Sequence, residues 1–500
     1  MAAGLQPPDP VSAPRTILIA GASGYIGRAL IPELRARFPA AKIVALSRAP
    51  RTSDDPLVEW RACDLFSLKE LEQALPAELD VAYYLVHSMA ATANLDQGSF
   101  ADYDLILADN FARAIKQRTP VHVVYLGGLI PRHAELSPHL RSRREVQQVF
   151  TDRALDHTSF RAGLILGPHG SSTEILLRLV KRLPVMLCPR WTQTMTAPID
   201  LAAVVRALAE VAGDPSSYGH TYDLAGCQSL TYLEMMRETA RWLGLRRRFV
   251  GMPFFSPTLS RFWVALITRM PKALIYPLIE SLRHEMVPRP DHLYGPPPTR
   301  TYAELLRAMP ETAREQSQPA GYQPEPRHVR SVQRLPRPPS MDAEAVKLEY
   351  AAWLPRFFWP FIRVWFESPA GATPPPTIAA DGRPPRAGGL RMVFSFVRKR
   401  WRLLELDLSS ERSSSDRQLL YITGGRLSGG GARGRLELRE VLERRYVLAA
   451  IHQFKPALPW YVYRYSQALV HLSVMRAFGR HLARIARRDR AQLAAGPSSS

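Results

Sequence analysis

"RTILIAGASGYIGRALIPELRAR", residues 15–37, contains the pattern that decides the fold of the first half of the chain. Its apolar run TILIA is typical of a buried strand, and the glycines that follow indicate a tight turn. After the turn, apolar side chains recur every three or four positions, as they do on one face of a helix. The stretch therefore predicts a strand, a turn and a helix in succession.

The glycines of this turn have the spacing Gly-x-x-Gly-x-x-Gly. The first glycine permits the tight turn, the second leaves room for a pyrophosphate, and the third lets the helix approach its strand. Free N–H groups at the start of the helix favour phosphate binding. We therefore expect a dinucleotide site that is contacted by Gly21, Ser23, Gly24, Tyr25, Ile26 and Gly27.

The second predicted strand, KIVALS, ends without the carboxylate that usually binds the ribose hydroxyls of NAD. Ser47 and Arg48 stand there instead, and no carboxylate follows until Asp54. Arginine can bind a 2′-phosphate in a bidentate manner, whereas a carboxylate would repel it. These residues favour NADP(H), with NAD(H) as the alternative. The competing interpretation of Arg48 is a solvated loop charge.

Two further strand ends add candidate cofactor contacts. RACDLFS places Asp64 and Leu65 after a third strand, where they would lie beside the adenine ring. VAYYLVHSM is a fourth strand that ends in His87 and Ser88, near the expected position of the nicotinamide-side ribose. Cofactors bind at the carboxyl ends of such strands. The alternative for His87 is a structural histidine whose hydrogen bonds are satisfied within the protein.

The 500-residue chain is too long for one ordinary core, and its composition divides it. Residues 15–305 alternate strand and helix patterns, which predicts an α/β fold with a Rossmann-like, doubly wound parallel sheet. Residues 306–340 are rich in Pro, Gln, Glu and Arg and are typical of a linker. Residues 341–490 contain strand-like runs and then a long helical pattern, which predicts a smaller α+β domain. Residues 1–14 and 491–500 are expected to be a disordered leader and tail.

Charge and cysteine content restrict the function classes. The net charge of +21 is consistent with an anionic partner, but an arginine-rich composition explains it without one. Nucleic acid is disfavoured because the sequence has no zinc-finger, RRM or helix-turn-helix pattern. The three cysteines are widely spaced, which argues against a disulfide framework and against a structural zinc site. No apolar run reaches the length of a membrane span. We therefore expect a cytoplasmic protein, with peripheral contact to the inner face of the membrane as the alternative.

Several stretches carry a resemblance to a known family, namely YYLVHSM, VVYLGGL, LSPHLRSRREV, SFRAGLILG and LVKRLPVM. Over residues 15–305 the chain resembles the extended and atypical short-chain dehydrogenases/reductases. Within them it is similar to a bacterial NAD(P)-binding group related to NmrA-like sensors and to the NADPH-binding accessory subunit of respiratory complex I. The stretches AVKLEYAAWLPRFF and LPWYVYRYSQALVHLSVMRAFGRHLARI resemble the companion domain of that group, with a START-like, helix-grip shape.

The resemblance implies a catalytic hydroxyl residue, a Tyr and a Lys, and the chain departs from all three. The hydroxyl position falls on Gly127 and Gly128, the Tyr on His139 and the Lys on Arg143. Hydride transfer to a carbonyl needs a proton donor poised near neutral pH. An unperturbed imidazole titrates near 6.5, so His139 could be that acid. Arg143 keeps its proton and could instead hold a ribose or a phosphate. Asn110 could match the family's structural helix asparagine or be an ordinary polar helix residue.

Two other segments suggest binding surfaces. Residues 251–285 are apolar with scattered cations and prolines, which fits either a substrate lid or a core helix. A hydrophobic lid would favour a lipid-like, quinone-like or isoprenoid substrate. The last predicted helix carries arginines at helical spacing beside an apolar stripe, so it either lies on an anionic membrane or packs its stripe on its own domain. The residues are Arg476, Arg480, Arg484, Arg487 and Arg488, with Leu469, Leu472, Met475, Leu482 and Ile485 in the stripe.

Three functions are compatible with these residues. One is an NADP-dependent reductase of an apolar carbonyl or quinone-like substrate that uses His139 as its acid. Another is a non-catalytic NADP-binding redox sensor or assembly factor. The third is a nucleotide-bound accessory protein of a membrane quinone system. The altered catalytic positions favour the binding roles, whereas the retained VHSM stretch favours the enzyme.

Overall fold

A computed structural model describes most of the chain as two compact units. The first takes its residues from 1–91 and 107–322, and the second takes them from 92–106 and 323–500. The described residues are 13–87, 95–118, 120–131, 135–252, 264–269, 272–296, 298–310, 329–358, 362–367, 391–396, 401–429 and 434–495. The predicted leader up to residue 12, the segment 311–328 and most of the first half of the predicted lid therefore lie outside them.

The first unit is built on a seven-stranded parallel sheet. Its strands are β1 (Thr16–Ala20), β2 (Lys42–Ser47), β3 (Val58–Ala62), β4 (Val81–Tyr84), β6 (His122–Gly128), β7 (His157–Ala162) and β12 (Thr221–Leu224). They are ordered β12-β7-β6-β4-β1-β2-β3, and every neighbouring pair is parallel. The direction of winding reverses between β1 and β4, which is where open α/β sheets bind their ligands. The predicted Rossmann-like fold is confirmed.

Helices cover both faces of this sheet, and for this reason the central strands are apolar along their length. The helices are α1 (Tyr25–Arg37), α2 (Leu68–Ala74), α4 (Pro138–Asp152), α5 (Ser171–Arg182), α6 (Leu201–Glu210), α7 (Tyr232–Trp242), α8 (Lys272–Ser281) and α9 (Tyr302–Arg307). Helix α3 (Phe100–Lys116) has residues in both units. Against one face, α1 and α6 pack through Leu30, Leu34, Val204 and Leu208.

Short strands complete the first unit as three two-stranded pairs. They are β8 (Ile165–Leu166) with β11 (Ile199–Asp200), β9 (Val185–Pro189) with β14 (Arg248–Met252), and β10 (Met195–Thr196) with β13 (Leu230–Thr231). These pairs follow β7 in the chain, and they help to place α5 and α7, which line a cavity described below.

The second unit is an eight-stranded sheet with a long helix. Its strands are β5 (Leu95–Gln97), β15 (Val329–Pro336), β16 (Ile362–Glu367), β17 (Arg391–Phe396), β18 (Trp401–Ser414), β19 (Arg417–Gly424), β20 (Arg435–Val441) and β21 (Tyr446–Phe454). The order is β16-β17-β18-β19-β20-β21-β15-β5, antiparallel except for the pair of β15 and β5. The helices are α10 (Ala343–Phe358), α11 (Trp460–Tyr465) and α12 (Gln467–Ala495).

Helix α12 closes the core of the second unit. Its buried Phe478 packs against Tyr350 of α10 with ring centroids 5.0 Å apart, and both belong to a cluster with residues of the sheet. A strand, a helix, six antiparallel strands and two final helices follow one another in this unit, so the predicted α+β C-terminal domain is confirmed. In the part of the chain that the structure describes, no helix has the length and apolar character needed to cross a bilayer.

The predicted linker at 306–340 is wrong at both ends. Tyr302–Arg307 is a capped helix, and Val329–Pro336 is a strand. The strand has few apolar residues among its cations, but β21 and β5 pair with it on either side, so backbone pairing rather than propensity specifies it. The three-residue strand Leu95–Gln97 was not predicted to lie in the second unit, because it is too short to carry a pattern.

Candidate functional site

The glycine turn after β1 combines tight packing with one open position. Gly21 has φ +90°, and a Cβ there would lie 2.9 Å from the carbonyl oxygen of Leu85. A Cβ on Gly27 would lie 2.6 Å from Cα of Ala22, so these two glycines are required by the protein's own packing. Gly24 is different because it is exposed and its Cβ would meet only the Gly21 carbonyl, at 3.1 Å. The missing side chain of Gly24 therefore leaves space in front of the turn.

The start of α1 faces this space. Its N-cap is Gly24, which makes no side-chain cap, and the first turn of the helix carries no acidic residue. Uncapped N–H groups and the helix dipole both favour an anion at such an end. The predicted contacts Ser23, Tyr25 and Ile26 are half-buried around it. The turn thus fits the pyrophosphate of a dinucleotide.

Tyr25 adds a buried hydroxyl to the turn. Its ring lies against Gly170, where a Cβ would be 3.0 Å from the ring. The hydroxyl is buried and has no hydrogen-bond partner among the described residues. Burial, followed by the charge of Asp200, raises the pKa of Tyr25 to about 12, so the phenol stays protonated near neutral pH. A buried donor of this kind can serve a bound ligand.

At the end of β2, the two predicted residues differ in what they offer. Ser47 is buried, and its hydroxyl donates to the carbonyl oxygen of Ala49 at 2.6 Å, so it can only accept from a ligand. Arg48 is exposed directly after the strand. The nearby Arg51 places its guanidinium 5.7 Å from the centre of the Trp60 ring. Both arginines lie in the loop after β2, on the side of the sheet where the predicted cofactor site begins.

Asn110 holds the loop after β3 through hydrogen bonds to its main chain. The amide of Asn110 is fully buried and donates to the carbonyls of Leu65 (2.8 Å) and Phe66 (3.1 Å). Asp64 accepts from the amide of Phe66, and Leu65 is buried. Asn110 therefore positions the loop that contains Asp64, a stronger role than that of an ordinary polar helix residue.

His87, His139 and Arg143 form one hydrogen-bonded network with Ser281. Arg143 Nη2 donates to His87 Nδ1 at 2.7 Å, and His87 Nε2 lies 3.3 Å from His139 Nε2. The two imidazole planes are inclined by only 10°. His139 Nδ1 lies 3.1 Å from Ser281 Oγ, which in turn lies 3.0 Å from Ser137 Oγ. Ser88, which was predicted beside His87, lies outside the described residues.

Local sequence explains how α4 presents this network. Ser137 caps the helix by accepting from the amide of Leu140, and Pro138 occupies the first helical position. His139 and Arg143 are four residues apart and so lie on the same face. Arg143 is buried, with 6% of its surface exposed, and it faces the end of β4.

Arg143 determines which ring nitrogens of His87 and His139 carry protons. A guanidinium can only donate, so His87 accepts at Nδ1 and, when neutral, carries its proton on Nε2. That proton points to His139 Nε2, which leaves the His139 proton on Nδ1, directed to Ser281. An additional proton on His139 Nε2 would face the N–H of His87. The contact between the two histidines is therefore made only when both are neutral, and protonation of His139 would release it.

Of the two glycines at the position predicted for a catalytic hydroxyl, Gly127 is crowded, whereas a Cβ on Gly128 would meet nothing nearer than the Ala162 carbonyl oxygen, at 4.0 Å. A Cβ on Gly127 would lie 3.1 Å from the ring of Tyr125, two residues earlier on β6. Tyr125 is itself buried, and its hydroxyl donates to the main-chain carbonyl of Arg143 at 3.1 Å. The Tyr125 hydroxyl therefore stabilises α4 through this hydrogen bond and does not substitute for the family's tyrosine.

An apolar cavity lies among α5, α7 and α8, with an empty volume of about 620 Å³ that includes space open to solvent. Ser172 is the one lining residue without a large apolar side chain. The other lining residues are Leu164, Ile175, Leu176, Leu179, Trp191, Tyr232, Met235, Met236, Leu278, Ile279 and Leu282. Leu278 and Leu282 flank Ser281 in sequence, so the cavity and the histidine network share α8 and the residue that follows it.

The sequence prediction identified most of this network but missed one member. His87, His139 and Arg143, predicted separately, are brought together. Ser281 was missed because 142 residues separate it from His139, and a serine in an apolar segment carries no signal of its own. Its position within the predicted lid was the one available indication.

A family comparison agrees with this geometry. Residues 17–183 match the NAD dependent epimerase/dehydratase family. This region contains the glycine turn, both histidines and Arg143. The matched region agrees with a dinucleotide-binding role, and the predicted resemblance to the atypical short-chain dehydrogenases/reductases is confirmed.

Individual proteins show similarity to parts of the chain. The auxiliary protein GraX of Staphylococcus aureus is 32% identical over 114 residues, which are 22% of this chain and 36% of GraX. The chain therefore spans about a third of the length of this curated relative. Among solved structures, a nucleoside-diphosphate-sugar epimerase from S. aureus is 16% identical, with 58% of this chain and 99% of that chain covered and a TM-score of 0.47. The triphenylmethane reductase of Citrobacter sp., complexed with NADP(H), is 17% identical with coverage of 58% and 99% and a TM-score of 0.46.

Proposed function

We propose that the N-terminal unit is an NADP(H)-dependent reductase of an apolar carbonyl or quinone-like compound, with His139 as the acid. The observation that carries this proposal is the chain Arg143–His87–His139–Ser281, which ends on α8, the helix whose Leu278 and Ile279 line the apolar cavity. It provides a titratable group at the end of β4, where the family binds the reactive half of its cofactor.

The chemistry requires a hydride and a proton. A reduced dinucleotide supplies the hydride when it is bound. The proton comes from His139 after it has taken up a second one from solvent, because only then is its contact with His87 released. His139 gives this proton to the reduced oxygen and returns to the neutral form that accepts from His87. Arg143 keeps its proton throughout and acts by holding His87 in one tautomer.

The apolar cavity sets the class of substrate. Its lining is formed almost entirely by large apolar and aromatic side chains, so burial of hydrocarbon there should stabilise binding by about 0.8 kcal/mol per methylene. In a series of n-alkyl aldehydes, each added methylene should therefore lower KM about fourfold until the cavity is filled. A sugar nucleotide would bury its hydroxyl groups there without partners.

The test is NADPH oxidation by the full-length protein with 1,4-naphthoquinone and with n-alkyl aldehydes. Turnover should fall as the pH rises through one titration, because the acid form of His139 is needed. His139→Gln should remove nearly all turnover and leave the NADPH affinity unchanged. Arg141→Gln, on the exposed side of the same helix, is the matched control and should retain full activity.

A cofactor-binding accessory role is the second candidate. It is favoured by the resting network, in which both ring nitrogens of His139 are engaged, and by the similarity to an auxiliary protein. In that case no probe would be reduced above background and His139→Gln would be silent. Arg143→Ala would still weaken NADPH binding, because Arg143 would hold the site for the cofactor.

A further inference from the structure

One end of the second unit exposes aromatic side chains beside cations. Phe396 and Trp401 are opposite each other on β17 and β18 and are 50% and 52% exposed. The guanidinium of Arg426 lies 4.7 Å from the centre of the Trp401 ring. On α11, Tyr461 and Tyr465 are 70% and 72% exposed. We call this group the aromatic rim.

Backbone hydrogen bonds join the parts of the aromatic rim at one end of the sheet. The amide of Arg426 donates to the carbonyl of Arg402, next to Trp401. One residue further, the amide of Ala457 donates to the carbonyl of Leu427. Helix α11 begins three residues after Ala457. Exposed Lys455 and Arg464 add positive charge, and Arg464 lies 5.7 Å from the Tyr465 ring.

The exposed face of α12 continues from the aromatic rim as a row of arginines. Leu469 and Val470, in the first turn of α12, are about half exposed. The exposed arginines follow at intervals of three and four residues on nearly the same side as Leu469. They are Arg476, Arg480, Arg484, Arg487 and Arg488, and we call them the arginine face. At 1.5 Å per residue, the row extends roughly 30 Å from Leu469.

The opposite side of α12 is already buried. Met475, Phe478 and Leu482 pack into the core of the second unit, so most of the predicted apolar stripe is occupied by its own domain. Leu469 is the exception, since it is exposed. The helix therefore does not offer its apolar stripe to a bilayer, and any anionic surface would meet the arginine face.

We propose that the aromatic rim and the arginine face together dock the protein on an anionic lipid surface. Aromatic side chains prefer the interfacial region of a bilayer, and nearby arginines attract acidic headgroups. A nucleic acid would satisfy the arginines but would gain little from covering Val462, Leu469 and Val470. A second copy of the chain would bring two arginine faces together, and they would repel each other. An anionic bilayer satisfies both parts of the surface.

The test is co-sedimentation of the full chain with large unilamellar vesicles at physiological ionic strength. One set contains phosphatidylcholine alone, and the other contains phosphatidylcholine with about one third phosphatidylglycerol. The native protein should bind only the second set. Arg480→Gln/Arg484→Gln should weaken this binding on the order of tenfold. Tyr461→Ser/Tyr465→Ser should weaken it several-fold without changing the net charge.

The matched control is Arg206→Gln/Arg246→Gln, which removes two exposed arginines of the first unit and should bind as the native chain does. Thermal unfolding verifies that each variant is folded. The proposal is overturned if the native chain ignores anionic vesicles, or if the control weakens binding as much as Arg480→Gln/Arg484→Gln does. It is also overturned if Arg480→Gln/Arg484→Gln binds anionic vesicles as the native chain does but loses binding to a short RNA.

Discussion

The molecule contains two groups of histidine and arginine with opposite surroundings. In the first unit, His87 and His139 are half-buried at the end of β4 and the start of α4, and Arg143 lies against them. In the second unit, Glu437, Arg439 and His452 are at most 1% exposed in the middle of β20 and β21. There Glu437 accepts from Arg417 and Arg439, and His452 Nε2 lies 2.9 Å from its second oxygen.

The surroundings of the two groups distinguish a candidate binding group from a structural one. Burial alone would raise the pKa of Glu437, but Arg439 and Arg417 outweigh it and hold the pKa well below its usual range. Burial, followed by the charge of Arg435, lowers the pKa of His452 to about 4. The second group is thus a set of compensated charges sealed in a sheet. The first group lies close to the end of β4, and through Ser281 it shares α8 with the apolar cavity.

The largest expected effect is on the sealed group. Glu437→Gln removes the only carboxylate between Arg417 and Arg439 in this group and should lower the free energy of unfolding of the second unit by roughly 3–5 kcal/mol. Urea unfolding measures the change. Glu443→Gln, on the exposed turn between β20 and β21, is the control and should change the free energy of unfolding by less than about 0.5 kcal/mol, as is usual for surface substitutions. NADPH affinity should stay unchanged. A loss of NADPH binding in a folded Glu437→Gln protein would break the distinction between the two groups.

Acid should destabilise both units through buried histidines. Burial lowers the pKa of His122 to about 4, and it does the same for His452. The amide of Gly213 donates to His122 Nδ1, so a second proton on this ring has no acceptor. In the unfolded chain the pKa of each histidine is near 6.5. The stability that comes from keeping both rings neutral in the folded protein is therefore fully present above pH 6.5. It is lost as the pH falls towards 4, by up to roughly 3 kcal/mol for each histidine.

Melting temperatures between pH 7.5 and 4.5 measure this loss. His452→Gln should flatten the pH dependence of the transition of the second unit, and His122→Gln that of the first. A melting temperature that stays constant across this range would mean that the two histidines are hydrated in the folded protein.

Cofactor choice is expected to depend on a single exposed arginine. Arg48→Asp should shift the ratio of NADPH to NADH affinity by about ten- to a hundredfold towards NADH, because a charge-assisted contact with the 2′-phosphate is replaced by repulsion. Calorimetry with both cofactors measures the ratio. Arg51→Gln, which removes the cation beside Trp60, is the control and should change the ratio little. Equal affinity of the native protein for both cofactors would contradict the assignment.

The smallest effect should come from Tyr125→Phe. The change removes the hydrogen bond to the Arg143 carbonyl and should cost about 1 kcal/mol of stability. Turnover should change little, and the shape of its pH profile should not change at all. A displaced pH profile would place Tyr125 among the groups that move protons and would widen the network beyond the two histidines.

Local patterns in the sequence predicted the first unit well. The glycine spacing and the apolar strand lie within 23 residues, and the order of the remaining strands follows from their alternation with helices. His139 and Arg143 could be predicted as a pair because their four-residue spacing places them on the same face of a predicted helix. Ser281 could not, because only the folded chain brings it to His139.

The sealed group shows why a period-two pattern can mislead. In RLELRE, on β20, leucines alternate with charged residues, which is typical of a strand with one side in water. Leu436 and Leu438 do face the core, but Glu437 and Arg439 are also buried, because Arg417 of β19 and Arg439 of the same strand both pair with Glu437. A sequence pattern shows polarity, but it does not show whether a charged side chain has found a counter-charge.

The short strand β5 has a consequence for the order in which the chain matures. Tyr103, six residues after β5, donates to the carbonyl of Arg330, and 227 residues separate the two in the chain. At a synthesis rate of about 5–20 residues per second, β5 emerges from the ribosome roughly 10–45 s before its partner strand β15. During that interval β5 has been synthesised, but β15, the strand with which it pairs, has not. The second sheet is therefore completed only after all of the intervening sequence, and strands β16 to β21 beyond it, have been translated.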